Sequence, residues 1–265
     1  MVIENILLHY KTPSQYIYWG ENGMDVYHIP VTGKTFKKTK NYPVPGIVDI
    51  TPTQFQEISR ELLSLDTGIM LNSSQFVFNV IEFEKIPFQE KMRRDVIEWR
   101  LKKIFPENID DYEHKYFKLS KKRVLSVLFK KVYKEKIESL FAETNIPVIF
   151  IGNSTIEVLN RARSMRRTFP DFFIEIDKAL SIIIFMNKGV PFYIRKFRSN
   201  QASGVVSEVN KTVNFIKNSN ALDPRNYFLV GESLEVDIPF IREELGKAGF
   251  QSLDLKPTNQ LFFAR

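Results

Sequence analysis

The most apolar stretch of the chain runs from Phe172 to Phe197 and predicts buried strands around a tight turn. Asn and Gly accept positive φ at low cost, so Asn187–Gly189 is typical of a hairpin turn. Strands this apolar are normally buried on both faces. A shorter hairpin of the same kind spans Tyr16–Ile29, and two related hairpins therefore open two halves of one chain. The strands predicted in the longer stretch are Phe172–Ile176, Ser181–Met186 and Pro191–Phe197.

Helical and extended patterns alternate along the rest of the chain, which predicts an α/β fold. Thr51-Pro52 is a good N-cap and first-turn pair, and it starts a helix that carries an apolar stripe. The best helical pattern is Phe88–Phe105, with a broad apolar face and charged residues opposite. Further helices are predicted at Tyr133–Thr144, Ser154–Arg166, Val205–Lys217 and Val236–Ala248. Strands are predicted at Gly68–Asn72, Gln75–Glu82, Tyr112–Leu119, Val124–Phe129, Ile146–Gly152, Tyr227–Gly231 and Gln251–Leu255.

Composition excludes several kinds of site. Cysteine is absent, which excludes disulfides, thiolate metal ligands and a cysteine nucleophile. The three histidines, His9, His28 and His114, are far apart in sequence, so we expect no histidine metal site. No apolar run has the length of a membrane span and no signal peptide is evident, so a cytosolic protein is expected. Phosphate-loop, nucleophile-elbow and dinucleotide motifs are all missing.

The chain is basic, with 38 Lys and Arg against 31 Asp and Glu, a net charge of +7. The basic residues cluster without any recognised nucleic-acid motif, so solvated faces are the favoured interpretation and no nucleic-acid partner is expected. Weak contact with an anionic lipid surface is the best functional alternative, because it requires only clustered charge.

The stretch Ile86–Leu119, IPFQEKMRRDVIEWRLKKIFPENIDDYEHKYFKL, resembles PilM, the cytoplasmic actin-like protein of type IV pilus machines. It is similar more distantly to the cytoplasmic domain of GspL from type II secretion. Trp99 takes the family's Trp position, while Glu98 precedes it and Arg100 stands where the family prefers Glu. Gly46–Leu63 matches a second family pattern. The resemblance implies an actin-like, ribonuclease H-like duplicated fold: a first half at 1–170 with an inserted subdomain at about 77–152, and a second half at 171–265.

Actin-like proteins bind ATP between their halves, on three turns, and here all three turns depart from the family pattern. In the first turn Tyr18 replaces Asp and Asp25 replaces Lys. In the second turn Asp177 replaces the Gly that lets backbone approach phosphate. In the third turn, Leu229–Leu234, Gly231 alone remains of the family's Gly-Gly-Gly. We therefore expect no cofactor, no bound metal and no ATP hydrolysis; the alternative is a divergent ATPase with Glu175 and Asp177 on the metal and Gly231 by the base. The degenerate pocket comprises Tyr18, Trp19, Gly20, Asp25, Glu175, Asp177, Gly231 and Glu232.

The resemblance implies a non-catalytic adaptor that captures the cytosolic N-terminal tail of a PilN-like inner-membrane protein. Groove candidates are Phe88, Met92, Trp99 and Phe105, and a helix packed on its own sheet is the alternative for each. The two tryptophans, Trp19 and Trp99, are expected in the core or at a subdomain interface. The GspL-like alternative would dock the cytosolic assembly ATPase. Both alternatives place the chain in the cytoplasm at the inner membrane, either as a peripheral protein or as the cytoplasmic part of a bitopic one.

The family continues past its last strand into a further helix. This sequence stops at Leu261–Arg265 instead. A second half that is cut short, with a membrane span downstream, is therefore an expectation.

Overall fold

The computed structural model describes residues 13–20, 23–28, 37–153, 156, 170–176, 180–187, 189–199, 201–220, 223–231 and 237–253. Helices and strands alternate through these ranges and confirm the α/β class. The helices are α1 Pro52–Ser59, α2 Glu90–Ile104, α3 Lys131–Ala142, α4 Ala202–Asn220 and α5 Ile238–Lys247. The strands are β1 Gln15–Trp19, β2 Met24–His28, β3 Lys37–Tyr42, β4 Thr67–Leu71, β5 Phe76–Glu82, β6 Tyr112–Lys118, β7 Arg123–Lys130, β8 Val148–Asn153, β9 Phe172–Ile176, β10 Ser181–Asn187, β11 Val190–Phe197, β12 Asn226–Gly231 and β13 Gln251–Ser252.

Two five-stranded sheets share one topology. The first has the order β3-β2-β1-β4-β8 and the second the order β11-β10-β9-β12-β13. In each sheet the first three strands form an antiparallel meander, and the last two add parallel to the first strand. The two hairpins predicted from sequence therefore do open two equivalent halves.

A separate three-stranded antiparallel sheet, β5-β7-β6, is inserted between β4 and β8. Helix α2 covers one of its faces with Ile97 and Leu101. The opposite face joins the main core through Phe78, Leu125 and Val127, since alternate residues of a strand point to opposite faces. The predicted strand Ile146–Gly152, expected at the end of the insert, is β8 (Val148–Asn153), which instead pairs with β4 in the first sheet.

Local sequence explains where the elements begin and turn. Thr51 forms a capping box with Gln54 at the start of α1, as its position before Pro52 predicts. Asp237 caps α5 by accepting a hydrogen bond from the backbone N of Phe240 at 2.9 Å. Gly189 has φ of 73° between β10 and β11, the conformation that the predicted turn requires. The predicted helix Ser154–Arg166 lies outside the described residues, apart from residue 156.

The second sheet is buried between two hydrophobic cores. The strands β9 and β10 are buried along nearly their whole length, as their apolar composition predicts. One face of this sheet packs into the main core with Phe173, Ile182 and Ile184. The other face packs against α4 and α5 in a second core. Within the described ranges, no helix is both long and apolar enough to span a membrane.

Candidate functional site

A buried polar cluster lies where parallel strands of both halves end. Ser73 follows β4, Asn153 is the last residue of β8, and Glu175 is the penultimate residue of β9. All three side chains are buried. Ligands of open α/β sheets bind outside the carboxyl ends of the strands, so this cluster occupies the expected position of a site.

Hydrogen bonds connect the cluster across the two halves. Ser73 Oγ donates to Glu175 Oε2 at 2.6 Å, and Asn153 Nδ2 donates to Ser73 Oγ at 3.1 Å. Asn153 Oδ1 in turn accepts from the backbone N of Ile156 at 3.0 Å. The carboxylate of Glu175 is therefore already engaged by a residue of the opposite half.

Lys196 on β11 is also part of this cluster. Its Nζ donates to the carbonyl oxygen of Ser73 at 2.8 Å and to that of Phe76. It also lies 5.6 Å from the ring centroid of Phe78. Burial lowers the pKa of Lys196 to about 8, and the negative charge of Glu175 opposes that shift only in part. This lysine joins the second half to the start of the inserted sheet.

The residues of the first predicted turn that the structure describes make their contacts within the first half. Tyr18 and Trp19 are buried, and the Trp19 indole stacks on Phe55 with ring centroids 5.8 Å apart. Its Nε1 donates to the carbonyl oxygen of Pro45 at 3.3 Å. The backbone N of Gly20 donates to the carbonyl oxygen of Gly23 at 3.0 Å. Trp19 is thus a core aromatic, as predicted.

Asp25 lies on β2 opposite Tyr18 and is buried. Its carboxylate accepts from Asn41 Nδ2 at 2.5 Å and from Tyr27 Oη at 3.4 Å. These contacts hold the acid within the first sheet, where Tyr27 and Asn41 belong to β2 and β3.

The second and third turns are described only in part. Gly231 pairs in register with Ile176 beside Glu175, so these two candidates are neighbours in the second sheet. Asp177 and Glu232 lie outside the described residues. Ser181 is buried and its Oγ has no hydrogen-bond partner within the described ranges. Strand alternation places it on the face opposite Ile182, which pairs with Glu175, so this hydroxyl does not face the cluster.

In the described residues, several groups that a magnesium nucleotide would need make hydrogen bonds within the protein. A metal-bound phosphate needs accessible carboxylate oxygens and free backbone N–H groups. Here Glu175 and Asp25 are buried and hydrogen-bonded within the protein, and the N–H of Gly20 is bonded to Gly23. The Lys196 ammonium group donates hydrogen bonds to two backbone carbonyl oxygens.

The four groove candidates do not form one groove. Phe88 is 96% exposed, Met92 53% and Trp99 55%, so these three face solvent. Phe105 instead packs edge-on against Tyr112 in the core of the insert, with ring centroids 5.1 Å apart. The expectation that Trp99 is a core or interface aromatic is wrong within this chain. The inserted sheet packs against the side of α2 that carries Ile97 and Leu101, and Trp99 lies on the opposite side of the helix.

A different apolar junction was missed by sequence reasoning. Val80, Phe117 and Tyr133 are half-buried where the inserted sheet and α3 meet the main core. Strand β6 is an edge strand of the inserted sheet, and no described strand pairs with its outer side. Lys134 of α3 bridges to Glu113 of β6 at 2.9 Å. The only sequence signal was the alternation in β6, which puts Glu113 and Phe117 on one face.

No protein-family model matches the chain, and no curated protein matches its sequence. Solved structures do match the fold. A PilM–PilN type IV pilus biogenesis complex superposes with TM-score 0.72 at 10% identity, over 94% of this chain and 90% of that chain. A Bacteroides thetaiotaomicron protein of unknown function with an actin-like ATPase fold gives 0.60 at 14% identity, over 93% of both chains. The cytoplasmic domain of EpsL, an inner-membrane component of the Vibrio cholerae type II secretion system, gives 0.57 at 8% identity, over 85% of both chains. The chain therefore has the actin-like fold that the sequence predicts.

Proposed function

We propose that this protein is a non-catalytic cytoplasmic adaptor of a type IV pilus or related secretion machine, bound to the cytosolic tail of an inner-membrane partner. Its fold is that of the PilM–PilN complex structure over nearly the whole of both chains. That structure is a complex of two proteins, so a PilN-like membrane protein is the kind of partner we propose. The fold of the EpsL domain supports the same setting, since that protein is an inner-membrane component of a secretion system.

The observation that carries this proposal is the outer edge of β6 beside the junction of insert and main core. An edge strand presents backbone N–H and C=O groups to an extended peptide, which adds as a further strand. Phe117 and Tyr133 are half-buried at this junction, and they supply apolar contacts for alternate side chains of such a peptide. The salt bridge between Glu113 and Lys134 holds α3 against the same strand.

The buried cluster between the halves supports the non-catalytic part of the proposal. Glu175 is one of the two acids that would hold the metal in the ATPase alternative, and its carboxylate accepts a hydrogen bond from Ser73. Opening this site for a nucleotide would break that bond, and the buried carboxylate would lose one hydrogen-bond donor, which costs about 1–3 kcal/mol.

Site-specific photo-crosslinking in the source organism tests the adaptor role. Benzoyl-phenylalanine replaces Phe117, which changes one aromatic side chain for a larger one at the proposed groove. The same replacement at Phe215, half-exposed on α4 of the second half, is the matched control. We expect position 117, and not 215, to yield one crosslinked product, identified by mass spectrometry as a membrane protein with a short cytosolic tail.

A synthetic peptide of that tail is then titrated calorimetrically into the purified chain. Saturable binding that Phe117→Ser weakens, with Phe215→Ser unaffected, is the expected result. Equal crosslinking at both positions, or a tail peptide that does not bind, would contradict the proposal.

A second candidate function is the docking of a cytosolic assembly ATPase. The likeness to the EpsL cytoplasmic domain favours it. The same crosslinking experiment separates the two, because the product at position 117 would then be a soluble ATPase and no tail peptide would bind.

A further inference from the structure

The outer side of α2 carries an apolar stripe that the fold leaves open. With 100° per residue, Met92 and Trp99 lie about 20° apart around the helix axis, and both lie about 140–160° from the nearer residue of the buried pair Ile97 and Leu101. The stripe is therefore on the side away from the inserted sheet. Met92 is 53% exposed and Trp99 is 55% exposed, and Phe88, just before the helix, is 96% exposed.

Basic side chains lie beside this stripe, and the exposed acid Asp95 is among them, about 40° from Trp99 and 60° from Met92 around the helix axis. Helix α2 contains six basic and three acidic residues. Lys103 places its Nζ 3.7 Å from the centroid of the Trp99 ring, so an ammonium group and an indole occupy the same outward surface. Lys91 and Lys102 are exposed on the flank of the stripe. The Lys102 Nζ lies 3.9 Å from the Asp110 carboxylate, so this ion pair compensates the lysine charge only weakly.

The form of this surface indicates what it contacts. An extended tail peptide gains main-chain hydrogen bonds from a strand edge, whereas the outer side of α2 is a convex helix surface with exposed Met92 and Trp99 side chains. Exposed aromatic and apolar side chains with lysines beside them are the features of a helix that lies in the headgroup region of a membrane. Trp favours this region because its ring is apolar while its N–H stays hydrated. Lysine stems reach past the apolar stripe to headgroup phosphates.

We infer that the outward face of α2, formed by Met92 and Trp99 with Lys91, Lys102 and Lys103, docks this protein on an anionic phospholipid surface, together with the exposed Phe88 just before the helix. The apolar side chains enter the headgroup region, and the lysines contact lipid phosphates. This contact is separate from the β6 edge, because α2 and the apolar junction cover opposite faces of the inserted sheet.

Tryptophan fluorescence with lipid vesicles tests this inference directly. The chain has two tryptophans, of which Trp19 is fully buried and Trp99 is exposed, so a change in emission reports on Trp99. Vesicles of phosphatidylcholine mixed with phosphatidylglycerol should shift the emission to shorter wavelength, and vesicles of phosphatidylcholine alone should not. Raising the salt concentration should weaken the effect, since screening acts on exposed charges.

Vesicle flotation with matched variants then locates the surface. Met92→Ser with Trp99→Ser, and separately Lys91→Glu with Lys103→Glu, should each lower the fraction bound by about tenfold or more. Phe215→Ser and the double charge reversal Lys211→Glu with Arg225→Glu are controls on exposed positions of the second half. Circular dichroism and a cooperative unfolding transition check that each variant folds.

Three results would overturn the inference. The first is vesicle binding that the α2 variants leave unchanged. The second is no binding to anionic vesicles at all. The third is a protein contact on this face: dimerisation in sedimentation experiments, or tail-peptide binding, that Met92→Ser with Trp99→Ser abolishes. Loss of vesicle binding with the tail peptide still bound is the expected pattern, and it separates this inference from the proposed adaptor role.

Discussion

The hydroxyl of Ser73 donates a hydrogen bond to the carboxylate of Glu175 at 2.6 Å, across 102 positions of sequence. Ser73 lies in the turn after β4 in the first half, and Glu175 lies on β9 in the second. Both side chains are buried, so the bond is protected from water. It is a direct polar link between the two halves.

Ser73→Ala should destabilise the chain by about 1–3 kcal/mol, because a buried carboxylate loses a hydrogen-bond donor. Urea unfolding followed by circular dichroism measures the change. Ser59→Ala is the matched control, since the Ser59 hydroxyl is exposed and bonds only within its own helix turn. That variant should stay within about 0.5 kcal/mol of the parent. In the background of Glu175→Gln the cost of Ser73→Ala should shrink, and an unchanged cost would show that the two side chains are not coupled.

Lys196 should make stability depend on pH in the alkaline range. Its pKa is about 8 in the folded chain against 10.5 ordinarily, because burial disfavours its charge. Between these values the unfolded chain holds a proton that the folded chain has released, so this group's contribution to stability rises as pH rises from about 8 to 10.5.

The comparison of parent and Lys196→Met isolates that contribution. Relative to the variant, the parent should gain on the order of 1–3 kcal/mol in urea unfolding between pH 7.5 and 10.5. Lys211→Met, at an exposed position, should leave the pH profile of the parent unchanged. Parallel profiles for the parent and Lys196→Met would show that this lysine titrates normally.

Gly68 is expected to be intolerant of any side chain. A Cβ atom there would lie 2.4 Å and 2.6 Å from ring atoms of Phe150 and 3.0 Å from Tyr16, in the middle of the first sheet. Gly68→Ala should therefore cost about 1–3 kcal/mol through overpacking. Gly246→Ala, in α5 with open space around the new methyl group, should instead stabilise by up to about 1 kcal/mol. Thermal unfolding of the two variants should shift in opposite directions, and similar shifts would contradict this description of the core.

Isothermal titration with ATP and magnesium should give no saturable heat, and ATP should not raise the unfolding temperature. The reason is that Glu175, Asp25 and Lys196 are bonded within the protein. A known actin-like ATPase under the same conditions is the positive control. Clear binding that Glu175→Ala removes would favour the divergent ATPase instead.

Much of the fold could be predicted because its signals are local. The apolar runs at Phe172–Ile176 and Ser181–Met186, the Gly189 turn and the Thr51 capping box each depend on residues close in sequence. The structure places them as expected. The sequence places the strand Ile146–Gly152 in the insert, but in the structure it is β8 of the first sheet. Strand pairing joins residues far apart in sequence, so no local pattern records it.

The site was less predictable. Glu175 was identified from its position in a degenerate turn, but Ser73, Asn153 and Lys196 carry no motif. They become a cluster only because strand ends from both halves meet. Trp99 was misassigned for a similar reason: helical periodicity shows that α2 has apolar residues around much of its circumference, and it does not show which side the sheet covers.

The sequence by itself determined the elements, the duplicated hairpins, the basic charge and the absence of cysteine chemistry, because these follow from residue type and short-range spacing. Only the tertiary structure decided which acid is hydrogen-bonded across the two halves, which lysine is buried and which face of α2 remains exposed. These properties depend on desolvation and on contacts between distant segments, and both exist only once the two halves and the insert have packed together.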